Sequence, residues 1–220
     1  MKLFHLIYVL TIAAFIFGCT EPDSLTDNQG GGASETVARI IIKDTLVSIN
    51  LDDTIKDNFK CSIFSKTYHP VVDTGFTDSI ILSGRNPAAL FSHFHSGTYN
   101  ILISSADSRK AVLFTNVTLS ANTHDTLVDS LRVTSSITGS LFVNKNNQKS
   151  VPTDPWFAFV RGTRYAASVD SSGVFKLDKL AAGEFNLVFE SPAYHSWSTI
   201  SRTVVVVPEK DINGLEVEIP

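Results

Sequence analysis

One ten-residue pattern occurs twice in the chain. Phe94-His95-Ser96-Gly97-Thr98-Tyr99-Asn100-Ile101-Leu102-Ile103 returns as Leu180-Ala181-Ala182-Gly183-Glu184-Phe185-Asn186-Leu187-Val188-Phe189, and the Gly, aromatic, Asn and aliphatic positions coincide at an offset of 86 residues. Val117-Thr118-Leu119 follows the first Gly by 20 residues, and Val204-Val205-Val206 follows the second by 21. Each copy then ends in an alternating segment, Leu127 to Val133 and Leu215 to Ile219. An offset this long is the length of a domain and too long for a solenoid repeat. The junction falls near Thr134-Ser135-Ser136, so the sequence predicts two related bodies over residues 37–133 and 135–220.

The second body is the easier to read. Ile137, Gly139, Leu141 and Val143 recur at every second position, as do Trp156, Ala158 and Val160, and Tyr165, Ala167 and Val169. Phe185, Leu187 and Phe189, and Leu215, Val217 and Ile219, continue the pattern. Period-two runs separated by turn signals mark an antiparallel sandwich, because alternate side chains of a strand point to opposite faces. Asp170-Ser171-Ser172-Gly173 reads as a hairpin turn, with its Gly placed for a left-handed backbone. Val204 to Val207 is unbroken, which predicts a strand covered on both faces and stopped by Pro208. Composition agrees with an all-β fold. Glu and Gln together number only nine, too few for the wet faces of a helical bundle. The formal charge of −4 argues against a nucleic-acid partner, which would call for a basic stripe.

The start of the chain has different physics. Met1-Lys2 precedes an apolar run from Leu3 to Phe17, which is shorter than the roughly twenty residues that span a bilayer and is matched to a secretory signal. The run ends in Ile16-Phe17-Gly18-Cys19, which resembles the bacterial lipobox. That resemblance implies removal of residues 1–18 and lipidation of Cys19, a membrane anchor strengthened by about 0.8 kcal/mol per buried methylene. Residues 19–36 read as a lipidated, disordered tether: Thr20 to Glu35 holds one large apolar residue, Leu25, and the run Gly30 to Gly32. Thr20 is not the Asp of inner-membrane retention signals, and Glu21 and Asp23 loosely resemble acidic surface-export signals, so the expected location is the outer membrane, facing periplasm or cell surface. With Cys19 lipidated, Cys61 has no disulfide partner. Its neighbours Phe59 and Ile63 place it on an apolar strand face as an inert thiol.

The string from Tyr165 through Asp170, Gly173, Phe175, Leu177, Leu180, Gly183 and Phe185 to Leu187 resembles the carboxypeptidase regulatory-like domain, a transthyretin-like β-sandwich. The resemblance covers about 135–220; the first copy keeps the Gly97 half and lacks the Asp-x-x-Gly turn, so it is expected to be a degenerate copy. Members of that family are appended, non-catalytic modules, which implies shape and no reaction. The expected fold is therefore two tandem antiparallel Ig-like or transthyretin-like β-sandwiches behind a signal peptide and tether.

Candidate chemistry is sparse. His93 and His95 share a strand face at the minimal spacing for zinc, with His124 or Asp125 as a third ligand, but no Cys or Glu cluster supports them. Asp52, Asp53 and Asp57 lack the pattern of a calcium loop and read as a solvated turn. No Gly-x-Ser-x-Gly, His-Glu-x-x-His or phosphate-cradling loop occurs, so no catalytic residue, metal or cofactor is expected. Trp156, Tyr165, Tyr194 and Trp197 could stack on sugar rings if exposed, or fill the core if not. Three readings follow: a structural or protein-interaction lipoprotein of the cell envelope, a carbohydrate-binding accessory working on an envelope polysaccharide, and a hydrolase with an unrecognised site.

Overall fold

A computed structural model of the chain describes residues 36–42, 45–51, 58–73, 78–82, 88–91, 96–120, 124–192 and 199–219. The described residues are all strand, turn and loop. In the first half the strands are β1 (Thr36–Ile42), β2 (Thr45–Leu51), β3 (Phe59–Ser65), β4 (Asp78–Leu82), β5 (Ala88–Phe91), β6 (Gly97–Ser105), β7 (Lys110–Leu119), β8 (His124–Asp129) and β9 (Arg132–Val133). In the second half they are β10 (Ser135–Lys145), β11 (Gln148–Ser150), β12 (Phe157–Val160), β13 (Ala166–Ser168), β14 (Val174–Leu180), β15 (Gly183–Glu190), β16 (Ile200–Val206) and β17 (Ile212–Ile219).

The first half has sheets ordered β5-β1-β2-β8 and β4-β3-β6-β7-β9. In the second half one sheet runs β13-β12-β15-β16, and the other is built on β10, which pairs with β11, β14 and β17. The duplicated pattern becomes a duplicated hairpin. Gly97 pairs with Leu119 and Tyr99 with Val117 in β6–β7, just as Gly183 pairs with Val206 and Phe185 with Val204 in β15–β16. Three pairs are parallel, β1 with β5, β2 with β8, and β10 with β17, so the sandwiches are not wholly antiparallel. The last of these brings the two ends of the second half side by side.

Phe175, Leu177 and Leu180 of β14, Val217 and Ile219 of β17, and Ala158, Val160, Phe185, Leu187 and Phe189 of the facing sheet build one core. Phe59, Cys61, Ile63, Ile101, Ile103, Val112, Val117 and Leu119 build another, on which Leu127 of β8 packs. Cys61 is fully buried, and burial pushes its thiol far above the usual range, as expected for an inert side chain.

Two local readings need correction. The Asp170 turn forms as expected: Gly173 has φ +79°, and the Asp170 carboxylate accepts from the Ser172 and Val174 amides at 2.8 and 2.9 Å. Yet it makes no hairpin within one sheet, because β13 pairs with β12 whereas β14 pairs with β10. It is a crossing between layers, fixed by the Leu141 amide donating to the Gly173 carbonyl at 2.7 Å. The Val204–Val207 run is covered on one face only. Val204 and Val206 are buried, but Val205 and Val207 are 59% and 48% exposed, because no described layer covers the second face of β16 there.

A shared core joins the halves. Phe64 of β3 and Leu102 and Ala111 of β6 and β7 belong to the core of the second half, although their strands lie in the first. Their neighbours Ile63, Ile101, Ile103 and Val112 point the other way, into the first core. These strands are thus buried on both faces, and Ala33–Pro220 forms one compact unit. Replacing Leu102 by Ala should cost about 2–5 kcal/mol. The loss should appear in the fluorescence unfolding transition of the tryptophans, which both lie after residue 150. An unchanged tryptophan transition would show that Leu102 is not part of a shared core.

Candidate functional site

The polar chemistry of the described residues gathers where the halves meet. After β3 the chain turns through Tyr68-His69-Pro70-Val71, the Tyr68 amide donating to the Ser65 carbonyl at 2.9 Å. This loop reaches across to the outer face of β12 and β15. The His69 ring lies 4.3 Å from the Phe159 ring, centroid to centroid. Its Nδ1 accepts from the Val71 amide at 3.3 Å, which leaves the proton on Nε2, and Nε2 donates to Glu190 Oε2 at 2.9 Å. Glu190 ends β15 and its side chain is almost wholly buried, 7% exposed. Its other oxygen accepts from Arg161 at 2.5 Å and from the Thr199 hydroxyl at 3.2 Å. Burial alone would raise the Glu190 carboxyl, but hydrogen bonds from His69 and Arg161, with the charge of Arg161, outweigh it and hold it below the usual 4.5.

A second clamp lies on Asn100. Tyr99 pairs with Val117 and Ile101 with Phe114, so Asn100 alone faces both Thr115 and Asn116, a β-bulge with Asn116 at φ +57°. Asn100 Oδ1 accepts the Asn116 amide at 3.0 Å, and Nδ2 donates to the Gly162 carbonyl in the other half at 2.9 Å. The Gly162 amide in turn donates to the Tyr68 carbonyl at 2.8 Å. Gly162 has φ +68°, and a Cβ there would stand 2.5 Å from Asn100 Nδ2 and 3.0 Å from the Lys66 carbonyl oxygen. Only glycine fits that approach.

Beside these clamps is an apolar hollow of about 280 Å³ lined by His69, Val71, Val72, Phe157, Phe159, Glu190 and Pro192. The arrangement binds segments together. Its carboxylate accepts from three donors drawn from both halves, so it has the form of a structural latch.

The aromatic residues separate. Trp156 and Tyr165 are each 4% exposed and lie in the second core, which corrects the idea that they form part of an exposed sugar platform. Tyr165 accepts the Ala181 amide at 3.0 Å and meets Phe185 edge-on at 5.9 Å, pinning the chain as it turns into β15. Tyr194 and Trp197 lie outside the described residues, as do Cys19, His93 and His95. Among the described residues no three His, Cys, Asp or Glu side chains are grouped to hold a metal ion, and no helix is long and apolar enough to cross a membrane. The sequence reading missed His69, Asn100, Arg161, Gly162 and Glu190. Asn100 carried a signal as the repeated Asn; the His69–Glu190 contact joins residues 121 apart and leaves no periodic trace.

No family model matches the chain, and no curated protein matches it. Among solved structures, the minor pilin of Streptococcus agalactiae aligns over 84% of this chain and 96% of its own, at 12% identity and a TM-score of 0.37. A candidate adhesin from Bacteroides ovatus aligns over 92% and 99%, at 8% identity and 0.28. A cohesin–X-dockerin complex from Acetivibrio cellulolyticus aligns over 37% of this chain, at 17% identity and 0.27, and the chain spans about half of that partner's length, 51%. Scores this low carry no inference about sites or partners.

The joint generates two expectations. Gly162→Ala should destabilise the fold by about 2–4 kcal/mol, the sum of left-handed strain and overpacking, seen as a lower denaturant midpoint; an unchanged midpoint would contradict the close approach. The depressed Glu190 value means the unfolded chain binds a proton at a higher pH than the folded chain. The stability it contributes is therefore complete above its ordinary 4.5 and is lost as pH falls through its folded value. Between about pH 5 and about pH 3 the natural chain should lose more stability than Glu190→Gln, in which the exposed Asp107 and Asp211, also depressed, still titrate. Parallel pH profiles would show that Glu190 carries no such linkage.

Proposed function

We propose that the chain is a non-catalytic lipoprotein of the cell envelope, anchored through Cys19 to the outer membrane, with a structural or protein-interaction role. In this reading residues 1–18 are a signal peptide and 19–36 a lipidated tether. Two sandwich modules, 37–133 and 135–220, then act as one stiff body. The observation that carries it is the welded joint. A body that holds or spaces partners needs its modules fixed to each other, and a core shared through Phe64, Leu102 and Ala111, with the Asn100 and Glu190 clamps, gives that stiffness. The saturated hydrogen bonding of the polar cluster fits a role in cohesion. The burial of Trp156 and Tyr165 leaves the sugar-binding alternative without those two residues.

The anchor is tested in cells by Cys19→Ala in the full chain, followed by membrane fractionation. The natural chain should sediment with membranes and carry incorporated palmitate, and the variant should be released. Continued membrane association of the variant would contradict the anchor.

A further inference from the structure

On the other side of the joint from the His69 latch is a second hollow, about 360 Å³, in which charged side chains join Tyr165, Ala166 and Leu177. Ser108 comes from the β6–β7 turn of the first half; Arg164, Lys176, Asp178 and Lys179 come from the second. In a chain with an overall charge of −4, three cations here meet one carboxylate.

The cations differ in how they are neutralised. Lys176 pairs with Asp178 at 2.9 Å, with both side chains more than half exposed, and Asp211 is a further negative charge near it. Lys179 Nζ reaches the Asp107 carbonyl at 3.5 Å, a long contact, and the Asp107 carboxylate is already engaged by Ser105 and the Arg109 amide. Arg164 is half-buried and, among the described residues, has no hydrogen bond and no ion pair. Ser108 is also half-buried, and its hydroxyl has no partner among them. A guanidinium withdrawn partly from water without a counter-charge is an unmet demand for one.

The backbone places Lys179 there. Ser135 pairs with Leu180 and Ile137 with Leu177, so Asp178 and Lys179 together face Ser136, a bulge with Lys179 at φ +59°. In unbroken alternation after Phe175 and Leu177, residue 179 would point into the core. The bulge keeps Leu180 buried instead and leaves both Asp178 and Lys179 exposed. A left-handed conformation at a non-glycine residue costs about 1–2 kcal/mol, and it sits at the one position that adds a third cation to the hollow.

We propose that this hollow binds a phosphate group, with Arg164 as its forked donor, Lys176 and Lys179 as flanking charges and the Ser108 hydroxyl as a further donor. A planar guanidinium offers two parallel donors to an oxyanion, which water replaces less well in a half-buried setting. The phosphate could belong to a lipid headgroup or stand free or on a polymer, and the recognition chemistry is the same. Because the hollow is lined from both halves, its occupation would also brace the joint.

The test is a titration of the full chain followed by amide chemical shifts at constant ionic strength, with inorganic phosphate in one arm and glycerol 3-phosphate, the simplest lipid headgroup, in the other. Saturable shifts are expected at Ser108, Arg164 and Lys179. Arg164→Gln should weaken binding about tenfold or more, Arg164→Lys less, and Lys149→Gln, at a remote exposed cation, not at all. Retained shift dispersion elsewhere shows that each variant is folded. Tighter binding of glycerol 3-phosphate would assign the site to a headgroup; equal binding would assign it to phosphate itself. Absence of saturable shifts at these three residues, or equal binding by Arg164→Gln, would overturn the proposal.

Discussion

Burial of both faces of the β3–β6–β7 sheet is the constraint on which the rest depends. One face, through Phe59, Ile63, Ile101 and Ile103, fills the core of the first half. The other, through Phe64, Leu102 and Ala111, fills part of the core of the second. A fully buried Leu or Phe contributes about 1.5–3 kcal/mol, so a few such side chains match much of the stability of an ordinary domain. Separating the halves would return that surface to water. The sandwiches are therefore coupled in a way that a flexible linker would not couple them.

Polar groups make the coupling specific. Apolar faces can slide over one another, but Asn100 cannot hold both the Asn116 amide and the Gly162 carbonyl in any other register. Glu190 adds a charged fixture whose partners come from the first half, through His69, and the second, through Arg161 and Thr199. Removing one partner would leave a buried carboxylate underpaired, which is more costly than the net gain from the intact cluster. The hollow at Arg164 differs because its guanidinium has no such partner. The joint thus has a saturated side and an unsaturated side, and a ligand is expected only at the second.

Much of this was legible in the residues. Alternation located β10, β12, β13, β15 and β17, and the Gly97 and Gly183 repeats marked equivalent hairpins, because strand periodicity and turn chemistry are local properties. The two-faced burial was written in Ile101-Leu102-Ile103, an unbroken apolar run at the centre of β6, but a run alone does not say what covers its second face. The same ambiguity misled at Val204–Val207, where an equally apolar run proved to be covered on one face only. The repeated Asn had two fates: Asn100 is buried at the joint, whereas Asn186 is exposed, since only the first copy has a second layer on that side. Trp156 and Tyr165 drew attention for their rings, yet their places were set by the core around Phe185. His69 and Glu190 meet only because the tertiary fold brings them together, and no spacing could announce them.

The central claim is that the two sandwiches form one cooperative body. Differential scanning calorimetry of the full chain tests it most directly. A single transition is predicted, with equal calorimetric and van't Hoff enthalpies, since the core of the second half is completed by Phe64, Leu102 and Ala111 of the first. Two separable transitions, each with its own midpoint, would contradict the account.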